Sequence, residues 1–242
     1  MHAAAEADGA EDVAERIHVQ KRSWTIGPEN WTAAHFRRRH RSRQCAPLPG
    51  MEANGPISTQ RSDQVPRLNV VAPAAANGRT KELYDAITRA IGGVPNIYQG
   101  VGNSAPALGA VLGIAEALKQ GQLTPAETEA IKLVVSEAYG CTYCLAAHTL
   151  LGKKAGLAEA DTIGIRRGSI AQPKLAALAQ FVRAAIQPSA RISDGDLAAV
   201  RAAGYNDAQI TEALMVVAQT VFTNLFNRVH QTPLDFPAAP SL

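Results

Sequence analysis

Apolar positions along the chain recur at helical spacing from about residue 79 onward, and no sustained two-residue alternation of the kind a half-buried strand needs is present. From Arg79 to Ile91, Leu83, Ala86, Ile87 and Ala90 share one face, and "GGVPN" at Gly92 to Asn96 breaks the helix. Ser104 to Gln120 predicts a second amphipathic helix, closed by Gly121. Thr124, Pro125 and Glu127 form a capping box with proline at the first helical position, the strongest helix start in the chain. The helix it opens carries Ile131, Val134, Val135 and Ala138 inward and ends at Gly140. A further helix runs from about Cys141 to Ala155, with Gly156 as its stop. Others are expected at 158–167, 173–186, 194–203 and 207–229, the last capped by Asn206. The pattern predicts an all-α domain over residues 67–242.

Residues 1–66 show no persistent period and scatter Gly, Pro, Ser, Asn and Arg, which reads as a disordered extension. Translation starting at Met51 would leave the part before it outside the native protein. The formal net charge is +3, but Arg37, Arg38, Arg39, Arg41 and Arg43 form one cluster; without those five the chain stands at about −2. The cluster reads as a solvated basic tail, and the helical domain is not a basic body that would seek nucleic acid. Glu6, Asp8, Glu11 and Asp12 stand where a secretory signal needs a basic start and an apolar run. No apolar stretch approaches the roughly 18 residues of a membrane span. Three cysteines in 242 residues are too few for a secreted disulfide scaffold. These features together predict a soluble, cytoplasmic protein without a membrane partner.

The candidate chemistry is concentrated in "GCTYCLAAHTLLG", Gly140 to Gly152. On a helix, Cys141, Cys144 and His148 follow the i, i+3, i+7 pattern and share a face. Cβ atoms at i and i+3 lie about 5 to 6 Å apart against the roughly 3.8 Å of a disulfide, so a bond there needs local adjustment or strain and should be readily reduced. Cys141 in the first turn gains from the amide donors and dipole of the helix, and His148, one turn beyond Cys144, can take or relay a proton. Three readings of the motif stand side by side. A zinc clip lacks ligands, because the remaining cysteine, Cys45, lies in the extension and three ligands from one helix depart from the usual knuckles. A pair of buried small hydrophobes with a satisfied core histidine is the bland alternative. A redox dithiol is the third, although a thioredoxin-type site would follow a strand, and here a helix precedes it.

The wider window "LTPAETEAIKLVVSEAYGCTYCLAAHT", Leu123 to Thr149, resembles the alkylhydroperoxidase D (AhpD) and carboxymuconolactone decarboxylase-like family, whose redox members carry a glutamate twelve residues before a Cys-x-x-Cys-x-x-x-His. The ending "TNLFNRVHQTPLDFP", Thr223 to Pro237, is similar to the subgroup described as peroxidase-related. The resemblance implies an all-helical homo-oligomer, a trimer or a multiple of one. It implies an antioxidant oxidoreductase that reduces organic hydroperoxides or hydrogen peroxide through its cysteine pair. By the same resemblance Glu129, Cys141, Cys144 and His148 are the catalytic residues, with Glu129 and His148 as a proton relay. No tightly bound cofactor or metal is implied; the reductant would be an external dithiol protein such as one carrying a dihydrolipoyl group. The sequence departs from the best-known peroxidases at Tyr143, where they have a second histidine. Redox sensing or thiol–disulfide exchange with little peroxide turnover, and a decarboxylase-like activity, are the alternative functions. The intact dithiol argues against decarboxylation.

Read from the residues alone, Glu129 is better taken as an early-turn carboxylate favoured by the helix dipole, and the resemblance reverses that preference. Glu137, one turn before Cys141, would raise a neighbouring thiol's pKa if it pointed there, and otherwise is a surface residue. Asn224, Asn227 and His230, near the end of the last helix, could approach the site or a subunit interface; helix capping accounts for them as well, and none is taken as a catalyst.

Overall fold

The computed structural model describes residues 65–187 and 192–242. The Arg-rich cluster, Cys45, Met51 and nearly all of the expected extension lie outside these residues. Among the described residues the order is a 3-10 turn at Pro73–Ala75, then α1 (Gly78–Ile91), α2 (Asn96–Val101), α3 (Ala105–Leu118), α4 (Pro125–Ala138), α5 (Thr142–Lys154), α6 (Glu159–Arg167), α7 (Pro173–Ala185), α8 (Asp194–Ala202) and α9 (Asp207–His230), with no strand. No helix among them is long and apolar enough to cross a membrane.

Helix α4 is the axis of the domain. The capping box expected at its start is present: Thr124 accepts from the Glu127 amide at 3.2 Å and the Glu127 carboxylate accepts from the Thr124 amide at 2.9 Å. Glu127 also receives the Tyr205 hydroxyl at 2.8 Å and lies 3.3 Å from Lys174, so its burial leaves both oxygens satisfied. Ile131, Leu133, Val134 and Val135 are all fully buried, because α5, α6, α7 and α9 pack around the helix. The periodic pattern pointed to a single inward stripe including Ala138; instead Ala138 is exposed and Leu133 is inside. A helix surrounded by others is apolar on most of its circumference, so a one-face pattern underestimates its burial.

A second cluster joins α1, α2 and α3 to the start of α5 through Leu83, Tyr84, Ile87, Ile97, Leu108, Cys141, Tyr143 and Cys144, with Phe226, Leu234 and Phe236 against it. On α1 the buried positions are Leu83, Tyr84 and Ile87, while Ala86 and Ala90, expected inside, are exposed. The Tyr84 ring supplies that face, and its hydroxyl donates to the Val71 and Tyr98 carbonyls. Helix α2, which six residues after a Gly-Gly-Val-Pro break did not announce, sits so close to α9 that a Cβ on Gly100 would come within 2.7 Å of the His230 ring.

The junction between α4 and α5 is a Schellman turn. Gly140 adopts φ 60, its amide donates to the Glu137 carbonyl at 3.1 Å, and the Cys141 amide donates to the Ser136 carbonyl at 3.0 Å. Cys141 therefore ends the cap of one helix and is the N-cap of the next, with extended backbone (φ −91, ψ 97) rather than the first helical residue that the spacing suggested. A Cβ on Gly140 would meet nothing, so the requirement is one of conformation. Gly140→Ala is expected to lower stability by about 1–2 kcal/mol and Gly140→Asn by less, since asparagine tolerates the left-handed region; urea unfolding of the three proteins measures this.

Candidate functional site

The extended backbone at Cys141 supplies the adjustment that an i, i+3 cysteine pair requires. It brings the two Cα atoms to 5.3 Å, within the usual range for a disulfide, and the sulfurs are bonded. Both cysteines are 2% exposed. The Cys141 sulfur accepts from the Cys144 amide at 3.2 Å, the N-cap contact by which a helix N-terminus favours an anion. The Cys144 sulfur accepts from the Asn227 side-chain amide at 3.2 Å, reaching across from α9.

Glu129 lies on α4 opposite His148 on α5. One carboxylate oxygen meets His148 Nδ1 at 2.8 Å and the other receives Lys132 Nζ at 2.8 Å. Burial alone would raise the Glu129 carboxyl, but the charge and hydrogen bonds of His148, and then of Lys132, outweigh it and hold it at about 2. An ionised carboxylate only accepts, so Nδ1 is the protonated ring nitrogen and Nε2 is left to exchange protons. The helix-dipole account of Glu129 does not describe this geometry, because both oxygens are used by side chains.

Cys144, His148 and Lys132 line one cavity of ≈ 570 Å³, together with Tyr98, Asn227 and Phe236; Cys141 does not reach its wall. Most of the remaining lining is aliphatic, from Ile91, Val94, Ile97, Leu150 and others. That volume and chemistry suit a small organic molecule. Burial, followed by the nearby Glu129 charge, raises the Tyr98 hydroxyl, which keeps it protonated as a donor on this wall.

The structure thus brings Glu129, Cys141, Cys144 and His148 together, and of the other candidates it adds Asn227 to them while giving Glu137, His230 and Asn224 partners elsewhere. Glu137 is neither beside the thiols nor free at the surface: its carboxylate holds the buried Arg166 at 2.7 Å, and Arg166 in turn donates to the Pro240 carbonyl. His230 Nδ1 accepts from the Leu68 amide at 3.3 Å, and the ring packs on Phe226, which anchors the segment before α1. Asn224 bonds to the Thr220 carbonyl at 2.7 Å inside α9. Tyr143 is fully buried, accepts from the Ile97 amide, and bonds to Asp235. Burial, and then the Asp235 charge, raises it far above the ordinary tyrosine range, so it cannot give up a proton in place of a histidine. It works as an anchor for the C-terminal segment, with Phe236 edge-on at 5.5 Å.

Lys132 was not anticipated from the sequence, though it was recoverable, because it stands three residues after Glu129 on the same helix. Asn227 was expected as a residue that could approach the site, and it does; that its partner is Cys144 was not readable, because 83 residues separate them and no spacing rule links them.

Residues 106–187 match the model of the carboxymuconolactone decarboxylase family. No curated protein is a significant sequence match. Among solved structures, a peroxidase-related protein with an alkylhydroperoxidase AhpD core from Ralstonia eutropha JMP134 superposes with TM-score 0.65 at 21% identity, covering 71% of this chain and 94% of its own. A peroxidase-related protein from Silicibacter sp. TM1040 gives 0.54 at 20% identity, covering 76% and 94%. The debrominase Bmp8, solved with 2,3,4-tribromopyrrole, gives 0.58 at 14% identity, covering 71% and 94%.

The depressed Glu129 pKa makes a stability prediction. A carboxyl held at about 2 against an ordinary 4.5 contributes its full stabilisation above pH 4.5 and loses it as the pH falls towards 2. The expected loss is up to about 3 kcal/mol across that window. In urea unfolding at stepped pH, Glu129→Gln should start less stable at pH 7 and lack this part of the acid-side decline.

Proposed function

We propose that this protein, whose residues 106–187 match the model of the carboxymuconolactone decarboxylase family and whose fold is similar to that of an AhpD-core protein, is a thiol-dependent peroxidase acting on organic hydroperoxides. The observation that carries the reading is the Cys144 sulfur in the wall of an apolar cavity, beside a histidine whose ring is set by a buried carboxylate and next to a second cysteine already within bonding reach.

The Cys144 thiolate attacks the terminal oxygen of the hydroperoxide. The O–O bond breaks, the alkoxide leaves with a proton relayed through His148, and the sulfur is oxidised to a sulfenic acid. The Cys141 thiolate then attacks that sulfur, the S–S bond forms, and hydroxide departs as water after taking a proton. An external dithiol protein returns the pair to the reduced state and is itself oxidised to a disulfide. Glu129 keeps His148 oriented and supports its positive charge when it holds the proton. Aliphatic walls favour an organic hydroperoxide over hydrogen peroxide, because burying them against substrate is where binding energy is available.

Helix α9 supports a homo-oligomer in this reading. Met215, Phe222, Leu225 and Val229 follow one stripe along it, and each is at least 40% exposed. A second copy of the chain would cover this stripe. Phe222→Asp with Leu225→Asp should convert the wild-type oligomer to a monomer in sedimentation, whereas a monomeric wild type removes the proposal.

In a hydroperoxide-consumption assay with dihydrolipoamide as reductant, Cys144→Ser and Cys141→Ser should each lose roughly 100-fold or more of the wild-type rate. His148→Asn and Glu129→Gln should each lose roughly 100-fold. A wild type that cycles between dithiol and disulfide yet consumes hydroperoxide no faster than the cysteine variants would point to thiol–disulfide exchange instead.

A further inference from the structure

We propose that Asn227, held in place by Thr232, is a catalytic residue that stabilises Cys144 as its thiolate. The proposal deepens the cysteine-based reading above and rests on it for the importance of that thiolate. Asn227 is 1% exposed and lies near the end of α9, with its amide nitrogen 3.2 Å from the Cys144 sulfur. Its amide oxygen takes the Thr232 hydroxyl at 2.6 Å. Thr232 is fully buried, and it follows Gln231, whose left-handed backbone (φ 55) turns the chain back from the helix end.

The orientation of the amide follows from what each neighbour can supply. A disulfide sulfur or a thiolate carries no proton and can only accept, so the NH₂ group must face it. The reversed amide would put an oxygen against that sulfur with no donor between them. The sulfur thus sets the orientation, and Thr232 holds the amide in place by donating to its oxygen. A buried thiol without such a donor is pushed towards its neutral form by desolvation, and an N–H directed at the sulfur opposes this.

The two sulfurs are served differently. Cys141 has the backbone amide of Cys144, which no side-chain substitution removes. Cys144, the sulfur on the cavity wall, depends on a side chain from a different helix.

The test is the pH dependence of iodoacetamide alkylation of Cys144, followed by site-resolved mass spectrometry on the full chain in a Cys141→Ser background. Asn227→Ala should raise the Cys144 pKa by about one unit, which is about a ten-fold loss of thiolate at pH values below it. Asn227→Asp should raise it further, because a carboxylate would then face the sulfur. Thr232→Val should move it in the same direction by less, and it reports on the orientation even if substitution at Asn227 prevents folding. A Cys144 profile unchanged in Thr232→Val and in any folded Asn227 variant overturns the proposal. Alkylation needs no peroxide turnover, so the two readings fail separately: a protein inert to hydroperoxide with shifted profiles sinks only the peroxidase assignment.

Discussion

A carboxylate on a helix packed on nearly every side stays ionised where hydrogen-bond donors and opposite charge meet it, and this constraint governs the site. Glu129 satisfies it by spanning Lys132 on its own helix and His148 on the next. The pairing fixes the relative rotation of α4 and α5 as well as the histidine tautomer. Because α5 also carries Cys144, the same contact that resolves a buried charge holds His148 on the cavity wall that Cys144 shares.

The turn between the two helices supplies the other half of the geometry. The Schellman turn at Gly140 closes α4 and delivers Cys141 in an extended conformation, so that two cysteines three residues apart reach one another without distorting α5. The C-terminal segment completes the enclosure from the far side. Thr232 holds Asn227, Asp235 holds Tyr143 and the Asn96 amide, and Phe236 forms part of the cavity wall. The Tyr143 position, where the best-known peroxidases of the resembled family have a second histidine, is thus occupied by a structural anchor.

Local signals in the sequence were informative wherever the physics is local. The capping box at Thr124, the stop at Gly140 and the cap at Asn206 all stand where the residues indicated, and the fold is all-helical as the periodicity implied. The cysteines and His148 could be read as a group because helical spacing puts them on one face, whereas Glu129 joined them only through the family resemblance. What could not be read depends on distant packing. Asn227 beside Cys144, Arg166 beside Glu137 and the seat of His230 under Leu68 come from contacts across 83, 29 and 162 residues, respectively, and no periodicity encodes them. The misjudged alanines at positions 86, 90 and 138 have a related cause, since alanine sits equally well inside and outside and its burial is decided by its neighbours.

In the proposed cycle Cys144 and Cys141 together carry two electrons to a hydroperoxide. The decisive experiment is a single-turnover mass balance: fully reduced protein mixed with one equivalent of an organic hydroperoxide, followed by thiol counting, intact mass and quantification of the alcohol. Both thiols of the pair should be lost as an intramolecular disulfide, with one alcohol formed per disulfide. Thiols that persist in the presence of unreacted hydroperoxide, or that disappear without a matching yield of alcohol, would rule the cycle out.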